Sequence, residues 1–456
     1  MIDFKKNIKN IHMIGIGGIG VSGLAKILMD NGFKVSGSDI KKSFLTEELK
    51  EMGATIFIGH DEKNAQDADV VVYTSAVSEE NPELKYARDN NILTYDRAEM
   101  LGKIAQDYKT TIAIAGTHGK TTTTSMLAQV METSELDPTI LIGGVLEFIK
   151  GNTKIGSNKF LLTEACEYKR NFLKIHPDIA VILNVDEDHL DYYENIEEII
   201  GAFEDYVKSV PKKGLVIINK DDHNSRRLIP HVPSQLITIG ITMDGDYMGK
   251  NITFNEFGYP QFDVYKGEEL ITTIKLGVPG QHNIYNALCC IATAHHLGAD
   301  VEKMAEALSS FIGAKRRQDI KGKMDDVLII DDYAHHPTEI KSTLNAVSKM
   351  PHNKIWTIFQ PHTYTRTKEL LHEFGSAFNE SDFIIVTDIY AAREDNVYNI
   401  HSKDLVDIIQ KESKNAIYIS DFKDIISYIK ENTSQEDIVI TMGAGSITSL
   451  SEMLIK

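Results

Sequence analysis

Residues 110–125 read T-T-I-A-I-A-G-T-H-G-K-T-T-T-T-S. An apolar, β-prone run at 112–115 leads into a turn that contains Gly116 and Gly119, and a helical pattern of apolar residues follows from Met126. Glycine lets backbone N–H groups approach anionic oxygens, and the N-terminus of a helix favours negative charge. The order of strand, glycine turn and helix therefore predicts a phosphate loop in an α/β domain that binds a nucleoside triphosphate.

The polar side chains of this loop fit the same chemistry. Lys120 supplies a positive charge for the β- and γ-phosphates, and Thr121 supplies a hydroxyl for Mg²⁺. The motif is the short form G-x-x-G-K-T, because Ala115 stands where the longer form has glycine. The alternative is a glycine turn followed by GKT by chance, which the flanking strand and helix make the weaker interpretation.

The composition indicates an acidic globular protein. The 456 residues carry a net charge of −18, with 42% hydrophobic and 25% charged residues, and this length predicts about three domains. Such acidity gives no electrostatic basis for binding nucleic acid or an anionic membrane, and no apolar run approaches the ~18 residues of a membrane span. We expect a cytoplasmic protein, and we expect Cys166, Cys289 and Cys290, which lack metal-ligand or disulfide spacing, to be reduced.

A second glycine motif lies near the N-terminus. Gly15-x-Gly17-x-x-Gly20 follows a strand pattern at 11–14, and Asp39 ends a second strand pattern farther on. This arrangement matches the dinucleotide fingerprint, in which the acidic residue holds a ribose. Taken alone, this region predicts a nicotinamide-dependent oxidoreductase.

Polar clusters follow two strands of the central region. Glu164-Ala165-Cys166-Glu167 comes after a strand at 160–163, and N-V-D-E-D-H-L-D at 184–191 comes after a buried strand at 179–183. The carboxyl ends of parallel strands are where α/β nucleotide enzymes place metal ligands. Two solvated loops are the alternative, which the nearby phosphate loop makes the weaker interpretation.

The pattern changes after these strands. Short antiparallel strands are predicted between 236 and 276, and Asn283 and Asn286 then lie on one face near a helix start, a spacing that by itself favours N-capping. In the last third of the chain strands and helices alternate again, which predicts another parallel sheet. Its first two strands are followed by the polar stretches 331–337 and 360–366, at the edge where such sheets bind ligands.

Nine motifs in register cover nearly the whole chain: G-I-G-G-I-G-V-S-G-L-A at 15–25, R-A-E-M-L at 97–101, G-T-H-G-K-T-T-T at 116–123, E-A-C-E at 164–167, N-V-D-E-D-H-L-D at 184–191, G-Q-H-N-I-Y-N-A at 280–287, K-R-R at 315–317, D-D-Y-A-H-H-P-T-E at 331–339 and Q-P-H-T-Y-T-R-T at 360–367. Together they resemble the Mur ligase family of peptidoglycan synthesis. The resemblance implies an α/β fold of three domains: a Rossmann-like N-terminal domain at 1–108, a central P-loop ATPase-type domain at 109–313, and a Rossmann-like C-terminal domain at 314–456 that closes on ATP and binds the amino acid.

The activity that this resemblance implies is an ATP-dependent amide ligase with Mg²⁺ as cofactor. Its substrates would be UDP-N-acetylmuramate and L-alanine, joined through an acyl phosphate. The glycine motif at 15–20 would then hold the uridine diphosphate rather than a nicotinamide dinucleotide. We expect no nucleic-acid or membrane partner, and a monomer or homodimer.

The resemblance also implies roles for individual residues. Catalytic residues would be Lys120, Glu167, His189, Arg317 and His362, with His335 or His336 as other candidates for the base that deprotonates the amine. ATP would be bound by Gly116, Thr117, His118, Gly119, Lys120, Thr121, Thr122, Asn283, Asn286, Arg317 and Asp332. Magnesium ligands would be Thr121, Glu167 and His189. The nucleotide sugar and amino acid would lie near Gly15, Gly17, Gly18, Gly20, Ser75, Asn81, Arg97, His336, His362 and Arg366.

Two motifs depart from the family pattern. Cys166 and Arg170 stand where many members have acidic residues, and K-R-R-Q leaves the choice between Arg316 and Arg317 open. The alternatives to the alanine ligase are an oxidoreductase, a sister ligase that attaches a preformed peptide, a folate polyglutamate ligase, and an ATP-driven scaffold. The scaffold is disfavoured by the retained Glu167, His189 and Arg317.

Overall fold

The structure is a computed structural model that describes residues 8–74, 77–313, 316–392, 394–412 and 414–455. The chain divides into two units. The first comprises Met1–Asn184, Ile200–Thr238 and Thr293–Ala299, and the second comprises Val185–Ile199, Ile239–Ala292 and Asp300–Lys456. Each unit contains parallel sheet covered by helices.

The N-terminal region alternates strands and helices: β1 (Asn10–Ile14), α1 (Ile19–Asp30), β2 (Lys34–Asp39), α2 (Phe44–Glu51), β3 (Thr55–Ile58), β4 (Val70–Tyr73), α3 (Pro82–Asp89), β5 (Leu93–Asp96) and α4 (Arg97–Ala105). The strands are parallel in the order β3-β2-β1-β4-β5. Central strand β1 is buried because helices cover both faces, which explains its continuous apolar run. Capping boxes at Ser43 and Asp96 fix the starts of α2 and α4. The Rossmann-like N-terminal sheet is confirmed.

The central region contains β6 (Thr110–Ala115), α5 (Lys120–Thr133), β7 (Thr139–Leu146), β8 (Gly151–Lys154), β9 (Phe160–Glu164), β10 (Ile179–Ile182), α6 (Ile196–Ser209), β11 (Leu215–Asn219), α7 (His223–Arg226), β12 (Gln235–Gly240), β13 (Tyr247–Phe254), β14 (Pro260–Lys266), β15 (Glu269–Lys275), α8 (His282–His296) and α9 (Val301–Ser310). In the first unit, β6 lies between β10 and β9 and pairs in parallel with both. In the second unit, β13, β14 and β15 form the predicted antiparallel strands. The prediction is wrong for β12, whose residues Ile239 and Gly240 pair in parallel with β13.

The C-terminal region contains β16 (Asp319–Met324), β17 (Val327–Asp332), α10 (Pro337–Val347), β18 (Ile355–Phe359), α11 (Tyr364–Glu369), α12 (Leu371–Gly375), β19 (Phe383–Val386), α13 (Ser402–Lys411), β20 (Asn415–Tyr418), α14 (Phe422–Asn432), β21 (Ile438–Met442) and α15 (Thr448–Leu454). The strand order is β16-β17-β21-β18-β19-β20. Five of these strands are parallel, and apolar residues are buried on both faces of the sheet.

Two details of this region differ from the sequence-based expectation. The sheet is not wholly parallel, because β16 pairs antiparallel with β17. The connecting residues Asp325 and Asp326 both have positive φ, 46° and 69°, which is the geometry of a two-residue hairpin turn. Strands and helices do not alternate strictly either, because two helices, α11 and α12, follow β18, separated where Leu370 leaves helical geometry at φ −96° and ψ 20°.

The strand orders decide which loops meet. In the first unit the loops after β10, β6 and β9 are neighbours at the carboxyl edge of the sheet. In the second unit β21 lies between β17 and β18, so the loops after these three strands meet in the same way. No helix in the described ranges combines the length and apolar character that crossing a membrane requires.

Candidate active site

The phosphate loop joins β6 to α5 through two glycines in the left-handed region. Gly116 has φ 142° and Gly119 has φ 83°. A Cβ on Gly116 would lie 3.0 Å from the Leu183 Cβ, so a larger residue would meet the neighbouring strand end. Thr123 donates the first helical N–H, to the Gly119 carbonyl at 2.9 Å. The N–H groups of Lys120, Thr121 and Thr122, as the start of a helix, therefore have no carbonyl one turn earlier in α5 and suit an anion.

Lys120 lies inside this loop and pairs with a carboxylate. Its Nζ donates to the carbonyls of Gly116 and Thr117 at 2.5 and 3.0 Å, and to both carboxylate oxygens of Glu167 at 3.0 and 2.8 Å. Glu167 follows β9 and is 2% exposed. Burial opposes the charge on Lys120, but the Glu167 carboxylate outweighs it and raises the pKa of the ammonium. The structure thus brings together the predicted phosphate-binding lysine and the predicted metal-binding glutamate.

The predicted magnesium ligands fall in different units. Thr121 and Glu167 belong to the first, whereas His189 belongs to the second. His189 has a positive φ of 57°, and its N–H donates to Asp188 Oδ1 at 2.7 Å. The first unit alone therefore offers a hydroxyl and a carboxylate, both of which are ligand types that Mg²⁺ accepts.

The segment after Asn184 is held by the C-terminal region of the second unit. Arg366 donates from Nη2 and Nε to Asp188 Oδ1 at 2.7 and 3.2 Å, and both side chains are about nine-tenths buried. Burial alone would raise the pKa of Asp188, but the Arg366 guanidinium holds it well below its usual range. His336 adds a bond from Nε2 to the Glu187 carbonyl at 2.7 Å, and Thr338 donates to Asp186 at 2.8 Å.

Three histidines were candidates for the base, and their hydrogen bonds separate them. Arg366 donates to His362 Nδ1 at 3.1 Å, which places the proton of a neutral His362 on Nε2. His336 uses both nitrogens, since Nδ1 accepts the Thr338 N–H at 3.3 Å and caps α10. His335 donates from Nδ1 to the Tyr333 carbonyl at 2.9 Å, which leaves its lone pair on Nε2. Burial lowers the pKa of His335 to about 4, so it is neutral at pH 7.

Arg317 and Asp332 lie close to one another beside the same strand edge. The Arg317 guanidinium lies 5.1 Å from the centre of the Tyr333 ring and 3.9 Å from Glu339. Asp332 accepts the N–H groups of Gln318 and Ala334, each at 2.7 Å. Burial raises the pKa of Asp332 to about 6, against the opposing charge of Arg317. Arg316 lies nearer Asp331, at 3.5 Å, and donates to the Gly443 carbonyl, so the two arginines have different partners.

The two asparagines of α8 do not cap the helix, although spacing alone favoured that interpretation. Asn283 lies inside the helix and donates backwards to the Pro279 carbonyl at 2.7 Å. Asn286 donates to Asn283 Oδ1 at 2.9 Å. Both are 5% exposed, so they form a buried pair rather than a cap.

The N-terminal glycine loop has its own geometry. Gly15 has φ 78°, Gly17 donates its N–H to Asp39 Oδ2 at 3.0 Å, and Gly18 is the N-cap residue of α1. A Cβ on Gly20 would lie 3.1 Å from Arg97 Cδ, so the predicted substrate arginine lies against the first turn of α1. Asp39 therefore bonds the loop itself with one of its carboxylate oxygens.

Two other predicted substrate residues lie elsewhere in this region. Asn81 is the N-cap of α3 and accepts the N–H groups of Glu83 and Leu84 at 2.9 and 3.2 Å. This bonding accounts for Asn81 structurally, and its role toward substrate stays a prediction. Ser75 lies outside the described residues.

Similar proteins match the chain from end to end. Residues 10–109 match the Mur ligase family, catalytic domain; residues 114–294 match the Mur ligase middle domain; and residues 316–445 match the Mur ligase, glutamate ligase domain. The chain is 49% identical to a UDP-N-acetylmuramate–L-alanine ligase of Acetivibrio thermocellus, over 98% of this chain and 96% of the relative. It is 48% identical to the same enzyme of Clostridium acetobutylicum, over 99% of each chain.

The chain belongs to the Mur ligase family. A crystal structure of UDP-N-acetylmuramate-alanine ligase MurC from Thermotoga maritima is 30% identical, covers 98% of both chains and has a TM-score of 0.82. The three-domain α/β fold of this Mur ligase is therefore confirmed, and the oxidoreductase interpretation of the first glycine motif is wrong.

Sequence reasoning missed several polar residues of this Mur ligase. Asp188 pairs with Arg366, Glu339 lies beside Arg317 and 3.3 Å from His335, and Asn184 bonds the phosphate loop. Asp188 and Asn184 lie within the quoted motif at 184–191, but the motif does not reveal their partners. Glu339 ends the motif at 331–339, where α10 makes it a neighbour of residue 335.

Proposed function

We propose that this Mur ligase joins L-alanine to the carboxylate of UDP-N-acetylmuramate at the expense of ATP, for peptidoglycan precursor synthesis. The observation that carries the proposal is the buried contact between Lys120 and Glu167 on a glycine loop that opens a helix. Support for the substrates comes from the names of relatives that are 48–49% identical over nearly their whole length.

The reaction needs activation of a poor electrophile. A carboxylate oxygen of the nucleotide sugar attacks the γ-phosphorus of ATP, the bond to the β–γ bridging oxygen breaks, and ADP leaves. The free amine of L-alanine then attacks the acyl carbon, inorganic phosphate leaves, and the amine gives up a proton. Negative charge accumulates on phosphoryl oxygens in the first step, so fixed positive charge lowers its barrier.

The phosphate loop supplies that charge. The raised pKa of Lys120 keeps its ammonium protonated, and the start of α5 adds N–H donors beside it. Mg²⁺, when bound, would neutralise phosphate charge, and Thr121, Glu167 and His189 are the residues proposed to hold it. The Glu167 carboxylate that now contacts Lys120 has the chemistry of such a ligand.

The second step requires a proton acceptor near the amine. Among the three candidate histidines, we assign His335, because its Nε2 keeps a lone pair while the nitrogens of His336 are both hydrogen-bonded. A general base accepts the proton on a lone pair, which His335 offers at Nε2. The predicted roles of Arg317, Asp332, Asn283 and Asn286 toward ATP are part of the same proposal.

Several finer statements rest on the sequence. The domain boundaries at 108 and 313, the roles of Gly15–Gly20, Asn81 and Arg97 toward uridine diphosphate, and those of His336, His362 and Arg366 toward the muramoyl and alanyl groups are proposals. A cytoplasmic location and a monomeric or homodimeric state are also predictions.

The test is release of inorganic phosphate from ATP with UDP-N-acetylmuramate and each amino acid in turn, with and without Mg²⁺. We expect release with L-alanine that requires the nucleotide sugar and the metal. A preformed tripeptide serves as the competing amine, and preference for it over L-alanine would assign the chain to the sister ligase. Tight NADH binding without phosphate release would reject the ligase.

A further inference from the structure

A side chain outside the predicted set holds the phosphate loop in shape. Asn184, directly after Leu183 at the end of β10, accepts the His118 N–H on Oδ1 at 2.8 Å and donates from Nδ2 to the His118 carbonyl at 3.0 Å. Its own carbonyl accepts the Thr117 N–H at 3.1 Å. Three hydrogen bonds therefore join two consecutive loop residues to one residue of the neighbouring strand end.

The side-chain contact uses both ends of the Asn184 carboxamide, an acceptor oxygen and a donor nitrogen. A backbone N–H can only donate and a carbonyl can only accept, so the two bonds to His118 fix which Asn184 atom is oxygen and which is nitrogen. Aspartate of the same size would accept the N–H but would present a second acceptor to the carbonyl. Leucine of similar size would do neither.

Asn184 contacts a part of the phosphate loop whose backbone has unusual conformational freedom. His118 stands between Gly116 and Gly119, and both glycines adopt positive φ. Glycine loses more conformational freedom on ordering than other residues, so a loop built in this way needs external contacts to keep one shape. Because the peptide bond is trans, a His118 carbonyl turned toward Asn184 directs the Gly119 N–H to the opposite side.

We propose that Asn184 is a positioning residue that preorganises the phosphate loop for ATP, a role that rests on the proposed ligase function. It touches neither substrate nor metal in this role and acts through the Thr117–Gly119 backbone. Without the two side-chain hydrogen bonds from Asn184 to His118, only a fraction of molecules would hold the loop in the conformation that binds ATP. The apparent affinity for ATP would fall by that fraction.

The test compares Asn184→Ala with a matched control, Asn219→Ala. Asn219 ends β11, the strand beside β10, is 6% exposed, and donates to the Leu183 carbonyl at 3.0 Å. We expect Asn184→Ala to raise KM for ATP on the order of 10-fold, the effect of losing about two ordinary hydrogen bonds. We expect kcat at saturating ATP within about 3-fold of wild type, and KM for the nucleotide sugar unchanged, because the loop is complete once ATP has ordered it.

Hydrogen exchange on the ligand-free proteins gives a second readout that needs no turnover. Peptides covering 116–119 should exchange faster in Asn184→Ala and at the wild-type rate in Asn219→Ala. If the alanine variant does not fold, the isosteric Asn184→Asp, which lacks the Nδ2 donor, takes its place in the exchange measurement with the same expectation.

The two proposals fail in different ways. Absence of alanine-dependent phosphate release in the wild-type enzyme rejects the ligase function. The hydrogen-exchange experiment then still tests whether Asn184 orders the phosphate loop. The positioning role is overturned if the wild type is active and the KM for ATP of Asn184→Ala is within about 2-fold of the wild-type value. It is also overturned if Asn219→Ala raises the KM for ATP as much as Asn184→Ala does. Unchanged exchange at 116–119 in the Asn184 variant overturns it as well.

Discussion

Replacing Asp188 with asparagine should destabilise the second unit strongly. Asp188 and Arg366 are 9% and 11% exposed, and two guanidinium N–H groups converge on one carboxylate oxygen at 2.7 and 3.2 Å. Asparagine keeps an oxygen acceptor but removes the charge, so the buried guanidinium loses the carboxylate with which it is paired, while Glu339 and Asp191 still contribute negative charge. Breaking a buried pair in this way costs about 3–5 kcal/mol, and Coulomb's law at an effective dielectric of ~20 and ~4 Å gives a similar figure of about 4 kcal/mol.

The single tryptophan of the chain makes this measurable. Trp356 lies in β18, in the same unit as Asp188 and Arg366, so its fluorescence follows the unfolding of that unit in urea. We expect the urea midpoint of Asp188→Asn to fall by roughly 1–2 M. The control is Asp326→Asn, which breaks the exposed pair of Asp326 with Lys323 in the same unit and should cost at most about 1 kcal/mol.

A double variant distinguishes the loss of stability caused by one unpaired buried charge from the net stabilisation that the ion pair provides. Asp188→Leu combined with Arg366→Met removes both charges, and we expect it to recover most of the stability that Asp188→Asn loses. A midpoint for Asp188→Asn that equals that of Asp326→Asn would refute the reasoning. So would a double variant less stable than Asp188→Asn, because the pair would then be stabilising through more than the avoided unpaired charge.

Three further predictions concern catalysis, packing and pH. Lys120→Ala should lower alanine-dependent phosphate release by about 10²-fold or more, as the loss of one preorganised charge does, and near-normal release would remove Lys120 from the mechanism. Tyr206→Phe should raise the thermal midpoint in calorimetry by a few degrees, because the described structure gives this buried hydroxyl no hydrogen-bond partner and its burial costs about 1–3 kcal/mol; a lower midpoint would show that the hydroxyl is bonded. Stability of the second unit should fall between pH 6.5 and 4, because burial lowers the pKa of both His282 and His335 to about 4, so the unfolded state binds their protons first. Asp332, whose pKa burial raises to about 6, opposes this, since its folded form binds a proton first on acidification. The two histidine pKa shifts outweigh the one aspartate shift, so the urea midpoint from tryptophan fluorescence should be lower at pH 5 than at pH 7. His282→Gln should reduce this difference between the two midpoints. Equal midpoints at pH 5 and pH 7 in the wild type would contradict the predicted direction.

Much of the fold was predictable because it depends on local pattern. Buried parallel strands are apolar along their length, as at 179–182, and the glycine turn at 116–119 needs positive φ, which the sequence signals directly. The antiparallel pairing of β16 was not predictable in this way. Its hairpin turn uses Asp325 and Asp326 rather than the Asn-Gly or Asp-Gly pairs that announce such turns.

The candidate site likewise has features that local sequence predicts and features that depend on contacts between distant residues. The amino-acid sequence by itself determined the family, the phosphate loop and the residue types that its chemistry requires, because these lie within short contiguous motifs. Only the tertiary structure decided that Arg366 pairs with Asp188, 178 positions away, and that Asn184 holds His118, 66 positions away. From composition alone, any of the chain's many carboxylates could pair with Arg366 and any of its amides could bond His118. The order of the strands in the folded sheets brings one particular carboxylate and one particular amide within hydrogen-bonding distance.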